Sequence, residues 1–339
     1  MQRFSFSVTT ALLATLFATL LAGCAAGPTP TPNGAPADTP PPLTPIRLSL
    51  GYIPDVQFAP YYVGIEKGFF AARGIDLTTE HRQETEGAKL LATGEIKFAV
   101  LSGEQVLLAR QNELPLVYVF AWYQRFPVAV AAKASSGIET VADLAGRSVG
   151  TPVKEGASYI GLEALLASAG LTDADIDLQT TGYAQVETLL TDRVDAVVVY
   201  VANEPVQLEA AGAEIVVIPV ANYADLVSNG LVTNETVLAE EPDLVRAMAA
   251  ALAESLQYTI DHPDEAFEIS QQYVEGLDNP DTKPIAREVL ARSIELWKGE
   301  RLGYSDRQSW ETMQEVLLAT GLLSEPVDLD AAFTNEYLP

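Results

Sequence analysis

The chain has 339 residues, 48% of them apolar, which is enough to bury one large core or two moderate ones and favours two domains. Forty-six acidic residues against 20 basic ones give a formal charge of -26. Such a charge repels phosphate backbones and anionic lipid head groups, so nucleic-acid binding is excluded as a role, and the apolar content excludes a disordered chain.

Arg3 precedes an apolar, uncharged run from Val8 to Ala22, which closes on Leu21-Ala22-Gly23-Cys24. A run this short, followed by small residues, predicts a signal peptide over 1–23, because a spanning helix needs about 20 apolar residues. The only cysteine, Cys24, stands at the cleavage point. The pattern resembles the bacterial lipobox, which implies an acylated Cys24 as the mature N-terminus and a body tethered to the extracytoplasmic face of the cell membrane. An uncleaved anchor with an inert cysteine is the competing reading. Residues 24–45 are rich in Pro, Thr and Ala with almost no apolar bulk, and are expected to form an extended spacer.

Ile46 to Tyr52 alternates apolar with polar or small residues, which predicts a strand. Pro54 stops it. Asp55, Gln57, Phe58, Tyr61 and Tyr62 then precede a helical run from Val63 to Phe70, collecting polar and aromatic groups at the carboxyl end of a strand, where open α/β sheets hold ligands. Ile75–Thr79 reads as a strand, Glu84–Thr93 as a helix and Lys97–Leu101 as a short buried strand. Ser102, just past that strand, opens the helix Val106–Gln111 and either caps it or offers its hydroxyl to a ligand. The apolar run Leu116–Phe120 leads into Ala121–Pro127, the densest aromatic cluster, where Trp122 and Tyr123 either stack a planar ligand or join the core.

From Val128 the pattern repeats: a strand to Ala132, a short helix Ile138–Gly146, a strand Arg147–Gly150, and a loop carrying Lys154, Gly156, Ser158 and Tyr159 into the helix Ile160–Ala169. This loop lacks the GxxxxGK[ST] spacing, so nucleotide hydrolysis has no support. After Leu178–Thr181 and a helix to Thr191, the β-branched strand Val194–Val201 ends in Asn203, Glu204 and Pro205. Glu204 either accepts hydrogen bonds from a ligand or pairs with the first-turn amides of its own helix. Ser228–Asn234 carries the chain back towards its first half, and the remainder is mainly helical, with apolar residues of Pro242–Ile260 at helical spacing.

Four stretches, GYIPDVQFAPYYVGIEKGFFAARGIDL, DLAGRSVGTP, DAVVVYVANEP and GLVTNETVLAEEPDLVRAMAAAL, give the chain its resemblance to the ABC-importer substrate-binding proteins of the NMT1/THI5-like family. That resemblance implies an α/β periplasmic-binding fold of type II: two α/β lobes, a ligand cleft between them and two hinge crossings. The lobes are expected at 46–127 with 232–339, and at 128–231. It also implies a monomer that delivers its ligand to a membrane permease and ATPase, without a cofactor or metal. Within the family, members bind sulfonates or nitrate, thiamine pyrimidine precursors, or riboflavin. An anion needs convergent cations or N–H donors. Only Lys154, and less directly Arg125, lies near the expected cleft, whereas Asp55, Phe58, Tyr61, Tyr62, Ser102, Trp122, Tyr123, Tyr159, Asn203 and Glu204 offer aromatic faces and polar groups. A planar vitamin, riboflavin ahead of a pyrimidine, is the expected ligand. The family's fungal pyrimidine synthases use a cysteine-rich motif and a histidine; with its single cysteine in the lipobox, this chain is expected not to be an enzyme. An extracytoplasmic sensory module remains the alternative to import.

Overall fold

Two five-stranded sheets organise the chain. The computed structural model describes residues 43–339; the predicted signal peptide, Cys24 and nearly all of the spacer lie outside the described residues. The first sheet has the order β2-β1-β3-β10-β4, built from β1 (Thr44–Leu50), β2 (Ile75–His81), β3 (Phe98–Leu101), β4 (Leu116–Ala121) and β10 (Gly230–Asn234). The second has the order β7-β6-β8-β5-β9, from β5 (Val128–Lys133), β6 (Ser148–Thr151), β7 (Asp177–Thr180), β8 (Ala196–Tyr200) and β9 (Ile215–Pro219). In each sheet four strands run in one direction, and the fourth place is taken by an antiparallel strand that has just crossed from the other half: β10 between β3 and β4, β5 between β8 and β9.

The helices follow from the same local rules. α1 (Ala59–Glu66) has Pro60 in its first turn, where the missing N–H costs nothing. α2 (Glu84–Ala92), α3 (Gly103–Gln111), α4 (Gly156–Ser168), α5 (Gln185–Leu190) and α6 (Glu204–Ala210) each follow a strand. α7 (Glu235–Glu240), α8 (Pro242–Asp261), α9 (Pro263–Ser270), α10 (Lys283–Trp297), α11 (Arg307–Ala319) and α12 (Leu329–Ala332) complete the chain. The apolar stripe of α8, with Val245, Met248, Leu252 and Leu256 buried, packs against α1. Where a helix was expected over Ile138–Gly146, only a single 3-10 turn forms, Val141–Leu144, closed by the capping box of Thr140 and Asp143. Among the described residues no helix is long and apolar enough to cross a membrane.

Strands buried on both faces make the sheets rigid platforms. All six residues of β4 are buried, as are Leu48 and Leu50 of β1. The chain crosses between sheets twice, after β4 and after β9, so the carboxyl ends of β1, β3, β6 and β8 open towards one shared cleft.

Candidate functional site

The cleft between the sheets is a cavity of about 910 Å³, its open mouth included. On the first-sheet side, Tyr52 follows β1 with a φ of 61°, a left-handed conformation uncommon for a bulky side chain. That turn sets its ring edge-on to Tyr183 of the second half, with centroids 4.9 Å apart. Gln57 and Phe58 come next, in a 3-10 turn capped by Asp55, whose Oδ1 accepts from the Gln57 N–H at 2.9 Å. Phe58 packs against Trp122, with centroids 5.4 Å apart, and Trp122 against Tyr123 at 4.8 Å. Phe58, Trp122 and Tyr123 form one aromatic wall of the cavity.

The second-sheet side supplies polar groups. Glu155 and Ser158 stand at the start of α4, Tyr183 and Gln185 at the start of α5, and Asn203 and Glu204 at the start of α6. Glu204 is 5% exposed, and its Oε2 accepts from the backbone N–H of Tyr200 at 2.9 Å. Burial pushes its carboxyl up to about 7. That oxygen is tied to the end of β8 rather than to the first-turn amides of α6, and the side chain lines the cavity. Across the mouth, Gln83 Nε2 donates to the Tyr183 hydroxyl at 2.9 Å and Thr85 Oγ1 to Glu155 Oε1 at 3.3 Å.

Behind the cavity a chain of hydrogen bonds joins the halves. The Tyr200 hydroxyl donates to Asn229 Oδ1 at 3.0 Å, and Asn229 Nδ2 donates to Glu84 Oε1 at 2.8 Å. Glu84 Oε2 accepts from both the backbone N–H and the hydroxyl of Ser102, at 2.8 and 2.7 Å, and the same hydroxyl lies against Glu104. Burial raises both carboxyls, and the nearby Glu84 charge helps to push Glu104 up to about 8. Burial beside Glu84 thus favours the neutral form of the Glu104 carboxyl.

Of the residues expected at the site, Phe58, Trp122, Tyr123, Asn203 and Glu204 line the cavity. The others do not. Tyr61 and Tyr62 belong to α1, which begins at Ala59 rather than Val63; both are buried in the core, Tyr62 stacked on Tyr273 at 4.4 Å and Tyr61 edge-on to Trp122 at 5.2 Å. Asp55 is spent on its cap, and burial raises its carboxyl to about 6. Ser102 is fully buried as a partner of Glu84 and Glu104, its side chain making no cap bond to α3. Lys154 is exposed outside the cavity. Tyr159, three residues into α4, packs partly buried against the core, and burial raises its hydroxyl to about 12.

Several lining residues escaped the sequence reading: Tyr52, Gln83, Glu84, Glu155, Tyr183 and Asn229. Most of them stand just past the carboxyl end of a strand, β1, β2, β6 or β7, so the strand-end rule applied to every strand would have reached them. Asn229 lies instead at the entry to β10, where only the return crossing brings it to the cleft. Among the described residues, no group of three or more His, Cys, Asp or Glu side chains is arranged to hold a metal ion.

Two α/β halves joined by two crossings around a ligand-sized cleft define the class: this is a periplasmic-binding-protein fold of type II. The solved aliphatic sulphonate binding protein SsuA from Escherichia coli has the same fold, with a TM-score of 0.70 at 15% identity, covering 84% of this chain and 96% of that one. The NMT1/THI5 like family model matches residues 55–266, and the chain belongs to that family. Among its relatives, the riboflavin-binding protein RibY of Chloroflexus aurantiacus is 39% identical over 307 residues, 88% of this chain and 87% of that protein. The formylaminopyrimidine-binding protein of Halalkalibacterium halodurans is 28% identical over 303 residues, 86% of this chain and 90% of that protein.

Proposed function

We propose that the chain is the lipid-anchored substrate-binding protein of an ABC importer, that it captures riboflavin and that it presents the vitamin to a membrane permease. The observation that carries the ligand is the lining itself: six aromatic rings, Tyr52, Phe58, Trp122, Tyr123, Tyr183 and Tyr200, alternate with side-chain amides and carboxylates, and no lysine, arginine or histidine lines the cavity. A sulfonate or nitrate would enter without a counter-charge. A tricyclic heterocycle with a hydroxylated tail instead finds flat apolar faces for its ring and amide and carboxylate groups for its imide and hydroxyls. The similarity to RibY supports the same choice.

In this reading the lobes, 46–127 with 232–339 against 128–231, close on the ligand through their two crossings. Phe58, Trp122 and Tyr123 hold the ring, and Asn203 and Glu204 accept or donate hydrogen bonds at its polar edge. The protein acts as a monomer and binds without chemistry, since its single cysteine, Cys24, is the acylation point and no nucleophile is paired with a base at the cleft. Replacing Cys24 by Ser is expected to move the protein from the membrane to the soluble fraction.

Titrating the protein with riboflavin and following flavin fluorescence tests the ligand. Saturable quenching at micromolar concentration is expected. Absence of quenching, together with a thermal shift by an aminopyrimidine, would transfer the assignment to thiamine pyrimidine precursors, a reading in keeping with the similarity to the formylaminopyrimidine-binding protein of Halalkalibacterium halodurans.

A further inference from the structure

Glu84, Glu155 and Glu204 line the cleft, and the cations that flank lining residues in sequence are not among the lining residues. Arg82 is held by Glu80 and Glu86, while Arg125 and Lys154 are exposed outside the cavity. Of the helices that begin at the cleft, α2 and α4 each start on a glutamate, Glu84 being the first residue of α2 and Glu155 the N-cap of α4, and α3 carries Glu104 in its first turn. A carboxylate at a helix start offsets the partial positive charge that would otherwise draw an anion. Glu84 is satisfied within the protein by Ser102 and Asn229, whereas Glu155 is exposed at the mouth and Glu204 buried deeper.

We infer that the cleft selects by charge: it accepts a neutral, hydroxyl-bearing planar ligand and rejects the phosphate ester of the same molecule, with Glu155 at the mouth as the discriminating residue. The choice of riboflavin and its 5′-phosphate as probes rests on the flavin reading above; the charge argument does not. A phosphate monoester brings a charge of about -1.5 to -2 near pH 7. In the cleft it would meet the Glu155 carboxylate at the mouth and no lining cation, so repulsion and desolvation act together.

The test is a fluorescence titration of the full chain in detergent with riboflavin and with riboflavin 5′-phosphate. The phosphate ester is expected to bind more weakly by at least about tenfold, in line with close like-charge repulsion. Raising the salt from about 50 to about 500 mM should narrow that ratio, because only a charge effect is screened. Glu155→Lys, at an exposed position, should narrow it several-fold at low salt, with a urea unfolding curve of the variant confirming that it is folded and Glu155→Gln giving a smaller narrowing in the same direction. Equal affinities for the two flavins, or a ratio that ignores both salt and Glu155→Lys, would overturn the inference while leaving the flavin reading in place. If neither flavin binds, the flavin reading falls, and the same contrast is run with 4-amino-5-hydroxymethyl-2-methylpyrimidine and its phosphate. Binding of the alcohol alone then supports charge selection; equal binding of both, or of neither, overturns it.

Discussion

Asn229 Nδ2 donates to Glu84 Oε1 at 2.8 Å although the two residues are 145 positions apart in the chain. Asn229 sits at the end of the return crossing, and its other arm accepts the hydroxyl of Tyr200 from the second sheet. One amide therefore ties the head of α2, a crossing and the end of β8 together. Asn229→Ala leaves a buried carboxylate oxygen and a buried hydroxyl without their partner, and is expected to lower stability by about 2 kcal/mol in urea unfolding. An unchanged midpoint would mean that water replaces the amide at no cost.

Glu204→Ala is expected to weaken ligand binding about tenfold, the order of a hydrogen bond to a charged acceptor. Isothermal titration measures this directly. Affinity equal to the parent chain would confine Glu204 to holding the Tyr200 N–H.

Phe58 and Tyr62 separate the cavity from the core behind it. Phe58→Leu keeps apolar volume but removes a ring face from the cavity wall, and a loss of affinity of about fivefold is expected from the missing aromatic contact. Tyr62→Phe removes a buried hydroxyl that has no hydrogen-bond partner, so affinity should not change and stability should stay level or rise. The opposite ranking in a paired titration would return Tyr62 to the site.

Stability should fall as pH rises through neutrality. Burial raises Asp55 to about 6, Glu204 to about 7 and Glu104 to about 8. Above the ordinary carboxyl range, the unfolded chain releases these protons while the folded chain still holds them, so the unfolded state binds fewer protons and the gap between the states shrinks. The decline begins near the ordinary values, 3.8 for Asp and 4.5 for Glu, and levels off above about 8, the highest of the folded values. Glu84 and Glu163, also raised by burial, act in the same sense, and His81, held below its ordinary value by burial, works in the opposite direction. On the acid side, Asp195 and Asp143, held low by bonds to Ser148 and Thr140, contribute stability that is lost as pH falls through their folded values. Thermal scans should therefore give a higher Tm near pH 5.5 than near pH 8.5, by something on the order of 5 °C. A flat or rising profile would contradict the buried neutral state of Glu104.

The strands were legible because their composition leaves little choice: the β-branched run of β8 and the wholly apolar β4 can be satisfied only inside a sheet. Phe58, Trp122, Tyr123, Asn203 and Glu204 were reachable because each lies within a few residues of a strand end. Tyr61 and Tyr62 read as loop residues when the helix is placed from Val63, whereas Pro60 in the first turn lets the helix begin at Ala59 and both rings are buried in the core. Tyr52 was hidden by its alternation with Leu48 and Leu50, which cannot reveal that the backbone reverses to a φ of 61° at that residue. Ser102 was found at the right strand end, but its partners, Glu84 and Glu104, are made neighbours only by tertiary packing.

The insertion of β10 between β3 and β4 sets an order on synthesis. Every strand of the second sheet lies between Val128 and Pro219, so that half can close as soon as this stretch has emerged. The first sheet cannot. Until Gly230–Asn234 arrive, β4 has no partner along its ladder and β3 is paired on one edge only. Gly230 must then slide beside Tyr118, where an added Cβ would lie 2.1 Å from the ring. The half that is translated first is thus the last to finish, and it waits with a bare apolar strand. A chain cut short before residue 230 is therefore a ready substrate for holding chaperones and proteases rather than a folded half-protein.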